Sequence, residues 1–382
     1  METTSSFSQG LTYDDILLLP GYTDFSRDDI SIKTKISKNI EIDIPLVSSP
    51  MDTVSGSRLA IALAKIGGIG IIHRNLSVES QAEEVAKVKK ENLLVGAAVG
   101  VSEGYKIRLE ALLKSGVDVV VLDSAHGWTN KFMDALRFVK NNYKDLDVIV
   151  GNIATEDAAI DFCKNGADGL RVGMGPGAIC TTRIVSGMGV PQATAISKTV
   201  KAAKKYDVPV IADGGIKSSG DIVKALALGA SSVMMGNYFA QTIESPGEVF
   251  DLKREEVPSR FQSIFDNNKN KTFKFKAYRG MGSEGAMSDG AKIKAEDEFH
   301  GKSYKDKVLV AEGVEGMVPV RGSVKEVVEQ SLGGIKSGMF YIGAKSILEL
   351  QKKARFIQIT QASLTESHPH GMIVSNTGKS YQ

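Results

Sequence analysis

From residue 44 onward, short apolar runs alternate with segments whose apolar positions recur at helical spacing. The runs are 44–50, 68–73, 93–99, 117–123, 147–152, 169–173, 208–213 and 232–235. The first seven are followed by predicted helices over 57–66, 78–90, 105–115, 130–141, 156–165, 192–206 and 219–228. The apolar runs are nearly continuous rather than alternating. A strand reads this way when both its faces are buried in a parallel sheet. Eight such units predict an α/β fold, a (β/α)₈ TIM barrel.

The flanks are less regular. A short apolar run over 11–19 ends at Pro20-Gly21. Beyond the eighth strand, 250–277 is charged and reads as a hairpin excursion. The polar stretch 285–307 predicts a lid, so that 250–320 forms a finger and flap after strand 8. Helices are expected over 324–331 and 345–353, and the whole of 1–382 reads as one catalytic domain.

Composition narrows the class of function. A formal net charge of +2 spread over 382 residues offers no broad surface for nucleic acid. No apolar run is long enough to span a bilayer. Residues 1–9 are polar and lack the apolar centre of a signal peptide. Two cysteines, Cys163 and Cys180, fit a reducing compartment and a cytoplasmic location. The five histidines show no spacing typical of a metal site.

Polar and glycine residues gather at the predicted C-terminal ends of the strands. They are Ser48 and Ser49, His73, Asp123 and Ser124, Asn152, the loop after Gly173, Asp213 to Gly215, and Gly236-Asn237. In this fold that rim is where chemistry takes place. The sharpest stretch is Arg171 to Arg183, where Gly173, Gly175 and Gly177 precede Cys180. The glycines allow a ligand to approach the backbone. Cys180, flanked by hydroxyls and arginines, is a candidate nucleophile, because a thiol attacks as thiolate and cations favour that form. Cys163 lies in a helical pattern and reads as packing.

These motifs carry a resemblance. The runs Pro45 to Val54, Gly67 to Gly70, Asp123 to Gly127, Gly151-Asn152, the Cys180 loop, Ala212 to Ile216, Met234 to Gly236 and Tyr278 to Ser283 resemble the IMP dehydrogenase/GMP reductase family. The resemblance implies a barrel, usually a homotetramer, acting on purine nucleoside monophosphates. It assigns Cys180 to attack on C2 of the base, with Thr182 beside it. It assigns Asp213 to the ribose hydroxyls, and Gly215, Gly236 and Tyr278 to the phosphate. Ser49 and Met51 fall to the nucleotide, and Gly280, Met281, Gly282 and Glu312 to the base. Asp123 and Ser124, with Asn152, Gly173, Met174 and Gly175, fall on the NAD side. Gly175, Gly177 and Cys180 match a monovalent-cation (K⁺) site. A neighbouring subunit's Glu366, Ser367 and His368 would complete it. Many relatives carry a CBS regulatory module after the second unit; here 89–92 runs straight toward the third strand.

Three departures bear on the activity. Ala178 stands where a phosphate-binding Ser is usual, and Asn237 replaces a second Ser, with an amide still able to donate. No Arg-Tyr pair, the family's water-activating dipeptide, occurs between Met287 and Glu312; the nearest residues are Lys294, Glu298-Phe299 and Tyr304. Glu284 occupies the position of a reductase's catalytic carboxylate. Within reach of Thr182 it would serve either direction of the chemistry. The favoured expectation is oxidation of IMP to XMP with NAD⁺. The alternatives are reduction of GMP to IMP and ammonia with NADPH, and a nucleotide-binding barrel without turnover.

Overall fold

The computed structural model describes residues 8–262, 272–293, 298–299, 302–303, 310–372 and 374. Eight parallel strands close into a barrel in chain order. They are β1 (Leu46–Ser48), β2 (Ile69–Ile72), β3 (Val95–Val99), β4 (Val119–Asp123), β5 (Asp147–Ile153), β6 (Gly169–Val172), β7 (Val210–Asp213) and β8 (Ser232–Met235). Closure comes from β8 pairing with β1, Val233 opposite Leu46. Helices follow the strands as the periodicity predicts. Those beginning at Val78, Asn130, Glu156 and Ser219 are capped by Ser77, Thr129, Thr155 and Ser218, whose side chains accept first-turn N–H groups. Such caps contribute about 1 kcal/mol each. The helix Val78–Lys89 leads into β3 through residues 90–94, with no intervening module.

The strands are apolar on both faces because two cores flank them. One, inside the barrel, joins Val47, Ile69, Ile71, Val119, Val121 and Ile149. The other lies between the strands and the helices and includes Leu46, Leu59, Ile72 and Leu122. A small hairpin, Thr34–Lys35 against Glu41–Ile42, closes the N-terminal end. It adds Ile36 and Ile42 to the inner core, and Asn39 binds Asp147 at the start of β5. Each buried isoleucine contributes roughly 1.5–3 kcal/mol. The run over 11–19 supplies Ile16–Leu18, which pairs antiparallel with Phe356–Gln358 and so ties the two ends of the chain together.

Beyond β8 the excursion is a three-stranded antiparallel sheet of Val249–Lys253, Thr272–Arg279 and Glu315–Pro319. The first two strands are the hairpin arms expected over 250–277. The lid expectation for 285–307 falls partly on 294–297, 300–301 and 304–307, including Lys294 and Tyr304, outside the described residues. Inside them, Glu284–Lys292 is a helix, and Glu298–Phe299 pairs with Lys302–Ser303.

One late helix is longer than expected. It runs Val324–Ile342, not 324–331, and ends at Gly343 in a left-handed conformation. Gly333, Gly334 and Gly338 in its sequence read as breakers. Two of them are contact points instead. A Cβ at Gly334 would sit 2.2 Å from Ser219 Oγ, and one at Gly338 2.8 Å from Val223. The glycines let this helix lie close against the helix Ser219–Ala227.

Candidate active site

The strand ends open into one cleft at the C-terminal rim, where the fold places its chemistry. Its floor is an ion-pair network that the apolar pattern obscured. Arg171, in β6, is buried and bonds two carboxylates. Its Nε donates to Asp213 Oδ2 at 2.9 Å, and its Nη1 donates to Asp123 Oδ1. Asn152 Nδ2 donates to the same Asp213 oxygen at 2.9 Å and to the Gly173 carbonyl at 2.7 Å. Arg74 Nε adds a second cation to Asp123 at 3.2 Å. Burial opposes the charge on Arg171, but Asp213 and then Asp123 outweigh it and hold its pKa above the ordinary value. Arg171 and Arg74 were missed as site residues. The signal for Arg171 was there: a charge inside a strand apolar on both faces must be paired.

The glycine loop brings Cys180 over this floor. Gly173 is required by a close approach, since a Cβ there would lie 2.1 Å from the Asp213 carbonyl. Gly175 has φ +79°, a conformation that favours glycine. Cys180 is half-buried, and its Sγ donates to Thr182 Oγ1 at 3.2 Å. Thr182 Oγ1 in turn donates to Glu312 Oε2 at 3.0 Å. Thiol, hydroxyl and carboxylate thus form one hydrogen-bonded chain. The main chain holds the carboxylate in place: Thr181 N donates to Glu312 O and Glu312 N to Gly282 O, both at 3.0 Å. Arg183 turns away from the thiol and donates to the Val190 carbonyl.

The opposite wall comes from β1, β8 and the antiparallel sheet. Ser49 Oγ donates to Asp213 Oδ1 at 3.4 Å. A Cβ on Gly236 would meet Met51 Sδ at 2.8 Å and the Tyr278 hydroxyl at 2.9 Å, so these three groups converge. Burial, and then Asp213, raise the Tyr278 pKa, which keeps its hydroxyl protonated as a donor. Arg279 grips Asp52 through Nε and Nη2, which anchors the segment carrying Gly280, Met281 and Gly282 at the rim. Ser124, Met174 and Gly177 line the same cleft.

Six expected residues do not line it. Gly215 lies just behind Gly214 and packs on Pro176. The Asn237 side-chain Oδ1 accepts from Gln241 Nε2 at 2.7 Å. Ser367 and His368 line a second cleft, near Lys217 and Tyr238, and Glu366 ends the adjoining helix Gln361–Glu366.

Glu284, expected within side-chain reach of Thr182, is not among the residues that line the cleft. Glu284 is exposed, in the first turn of a helix capped by Ser283. A carboxylate there is favoured by the helix dipole, while Ala286, Met287 and Gly290 take the buried side. Thr182's carboxylate partner is Glu312. Glu284→Gln is therefore expected to change turnover by less than about twofold, ~0.4 kcal/mol in the barrier. A tenfold loss in steady-state rate would return Glu284 to the site.

Comparison with known proteins agrees with this geometry. The family model for the IMP dehydrogenase / GMP reductase domain matches residues 10–370. Inosine-5'-monophosphate dehydrogenase of Cryptosporidium parvum is 43% identical, over 96% of this chain and 96% of that protein. Its counterpart from Borreliella burgdorferi is 42% identical, over 95% and 97%. That of Aquifex aeolicus is 36% identical, over 100% and 99%.

Proposed function

The chain belongs to the IMP dehydrogenase / GMP reductase family, and from that premise we propose that it oxidises IMP to XMP with NAD⁺. The observation that carries this reading is the Cys180–Thr182–Glu312 chain, set above Asp213 in one cleft. Asp213 accepts from the ribose hydroxyls. The Tyr278 hydroxyl and the Gly236 backbone take the phosphate, and Met51, Met281 and Gly282 flank the base. Cys180 passes its proton through Thr182 toward Glu312, and the sulfur adds to C2. Ser124, Asn152 and Met174 would hold NAD⁺, which would supply the acceptor for the hydride that leaves C2. The polar groups lining that side of the cleft fit a carboxamide ring.

The product of this step is a thioimidate, and its hydrolysis needs a base for water. Glu312, having released the thiol's proton to solvent, serves through the Thr182 hydroxyl. Water adds to C2, its proton moves along the relay, and XMP leaves as the C–S bond breaks and the thiol reforms. Nucleophilic catalysis of this kind divides one hard step into two. The reductase reading rested on Glu284, which does not line the cleft, and on the missing Arg-Tyr pair; the curated relatives named above are IMP dehydrogenases.

The reading extends to a monovalent cation held by the carbonyls of Gly175, Gly177 and Cys180. Neutral carbonyl donors suit a large monovalent ion such as K⁺. Glu366, Ser367 and His368 are exposed and would act from a neighbouring subunit of a homotetramer. Among the described residues no helix is long and apolar enough to cross a membrane, in keeping with a cytoplasmic location.

Glu312→Gln tests the mechanism because it keeps the shape and removes the titrating group. A general base typically contributes ~10²–10⁴-fold. Rapid mixing with IMP and NAD⁺ is expected to show the first turnover of NADH slowed, because the thiol loses its proton acceptor, and steady-state XMP formation down by roughly 10²-fold or more. An unchanged steady-state rate would remove Glu312 from the relay. NADPH-dependent release of ammonia from GMP would overturn the direction of the reaction.

A further inference from the structure

Lys276 is buried on the sheet strand that carries Tyr278, at 3% exposure. Among the described residues its ammonium forms no ion pair. It donates instead to the carbonyls of Thr242 at 2.9 Å, Ile243 at 3.0 Å and Ser245 at 2.5 Å, and to Ser245 Oγ at 3.0 Å. Three carbonyls and a hydroxyl around one unit positive charge are the ligands of a monovalent-cation site. Burying an ammonium is costly unless oxygen dipoles replace its water, and this turn supplies them. Burial pulls the Lys276 pKa down to about 8, Arg58 acting in the same direction and Glu244 against it, so the charge persists at pH 7.

The position of the cage gives it a role. The turn Thr242 to Ser245 follows the short helix Asn237–Ala240, whose N-cap is Gly236. Two residues after Lys276 the strand presents Tyr278, whose hydroxyl meets Gly236. The same two segments touch again just above. Ala277 N donates to the Glu248 carbonyl at 2.8 Å, and Gly247 lies so close that a Cβ would stand 2.3 Å from the Ala277 carbonyl. We infer that the Lys276 ammonium acts as a tethered monovalent cation, whose carbonyl cage sets the spacing of Gly236 and Tyr278 and so positions the substrate's phosphate. The role of that pair rests on the function proposed above; the cage does not.

The experiment uses Lys276→Ala in the full chain, with methylammonium chloride as the probe and tetramethylammonium chloride, which has no N–H donor, as the control. The expected result is a KM for IMP raised at least tenfold, with kcat and the KM for NAD⁺ within about threefold of wild type. Methylammonium is expected to restore most of the KM and to raise the thermal midpoint, and tetramethylammonium neither. An unchanged KM for IMP overturns the inference, as does a loss that methylammonium does not restore. If Lys276→Ala fails to fold, Lys276→Met keeps the stem and removes only the charge. Wild-type affinity for IMP in that variant, by equilibrium binding, overturns the inference equally. Wild-type oxidation of IMP is measured first. If it is absent, the proposed function falls, and the cage is still judged by the thermal midpoint of Lys276→Ala in methylammonium.

Discussion

Cys180→Ala is expected to abolish IMP-dependent NADH formation, by at least about 10⁴-fold, roughly 5 kcal/mol in the barrier. Without the thiol no covalent adduct forms, and hydride would have to leave an unactivated C2. Nucleotide binding is expected to survive. Asp213, Gly236 and Tyr278, the proposed ribose and phosphate contacts, come from β7, from the end of β8 and from the antiparallel sheet, not from the Cys180 loop. In the wild-type protein iodoacetamide is expected to label one cysteine, and IMP to block it. The second cysteine does not confuse the measurement: Cys163 is buried in the helix Glu156–Lys164, and burial pushes its pKa up to about 11. Steady NADH production by Cys180→Ala would end the covalent mechanism.

Asp213→Ala is expected to weaken IMP binding and the fold together. Its carboxylate takes Arg171, Asn152 and Ser49 at once, with its side chain 12% exposed. Truncation leaves Arg171 buried with one of its two carboxylates. Breaking a buried pair from one side typically costs about 3–5 kcal/mol, so the thermal midpoint should fall clearly. Hydrogen bonds to a charged group contribute ~1.5–3 kcal/mol each, so the dissociation constant for IMP should rise at least tenfold. Asp213→Asn, which keeps the shape, should recover part of the stability and little of the affinity. Wild-type affinity in both variants would make Asp213 a purely structural partner of Arg171.

Much of the site was legible because its residues sit at strand ends, and strand ends are marked locally. An apolar run stops, and a polar residue or glycine follows. Cys180, Asp213, Asn152 and Gly236 were all found in this way. Glu284 was harder to place, because a carboxylate's neighbour in sequence says little about the direction of its side chain. A helix cap at Ser283 turned it to solvent. Lys276 gave no warning, since its partners are carbonyls, which every residue carries.

The sequence by itself determined the barrel. Burying both faces of each strand demands unbroken apolar runs, and burying one face of each helix demands helical spacing; both are properties of a short stretch of chain. It also determined the cysteine loop, where Gly173 and Gly175 meet backbone requirements that only glycine satisfies. Only the tertiary structure decided which charges meet. Arg171 finds its carboxylates 48 and 42 residues away, and Thr182 finds Glu312 at a separation of 130. The physical reason is that a buried charge must be paired, and the chain offers 45 acidic residues. Their order along the chain carries almost no information about which will be brought within 3 Å. That choice belongs to the closure of the barrel and to the sheet that folds back over its rim.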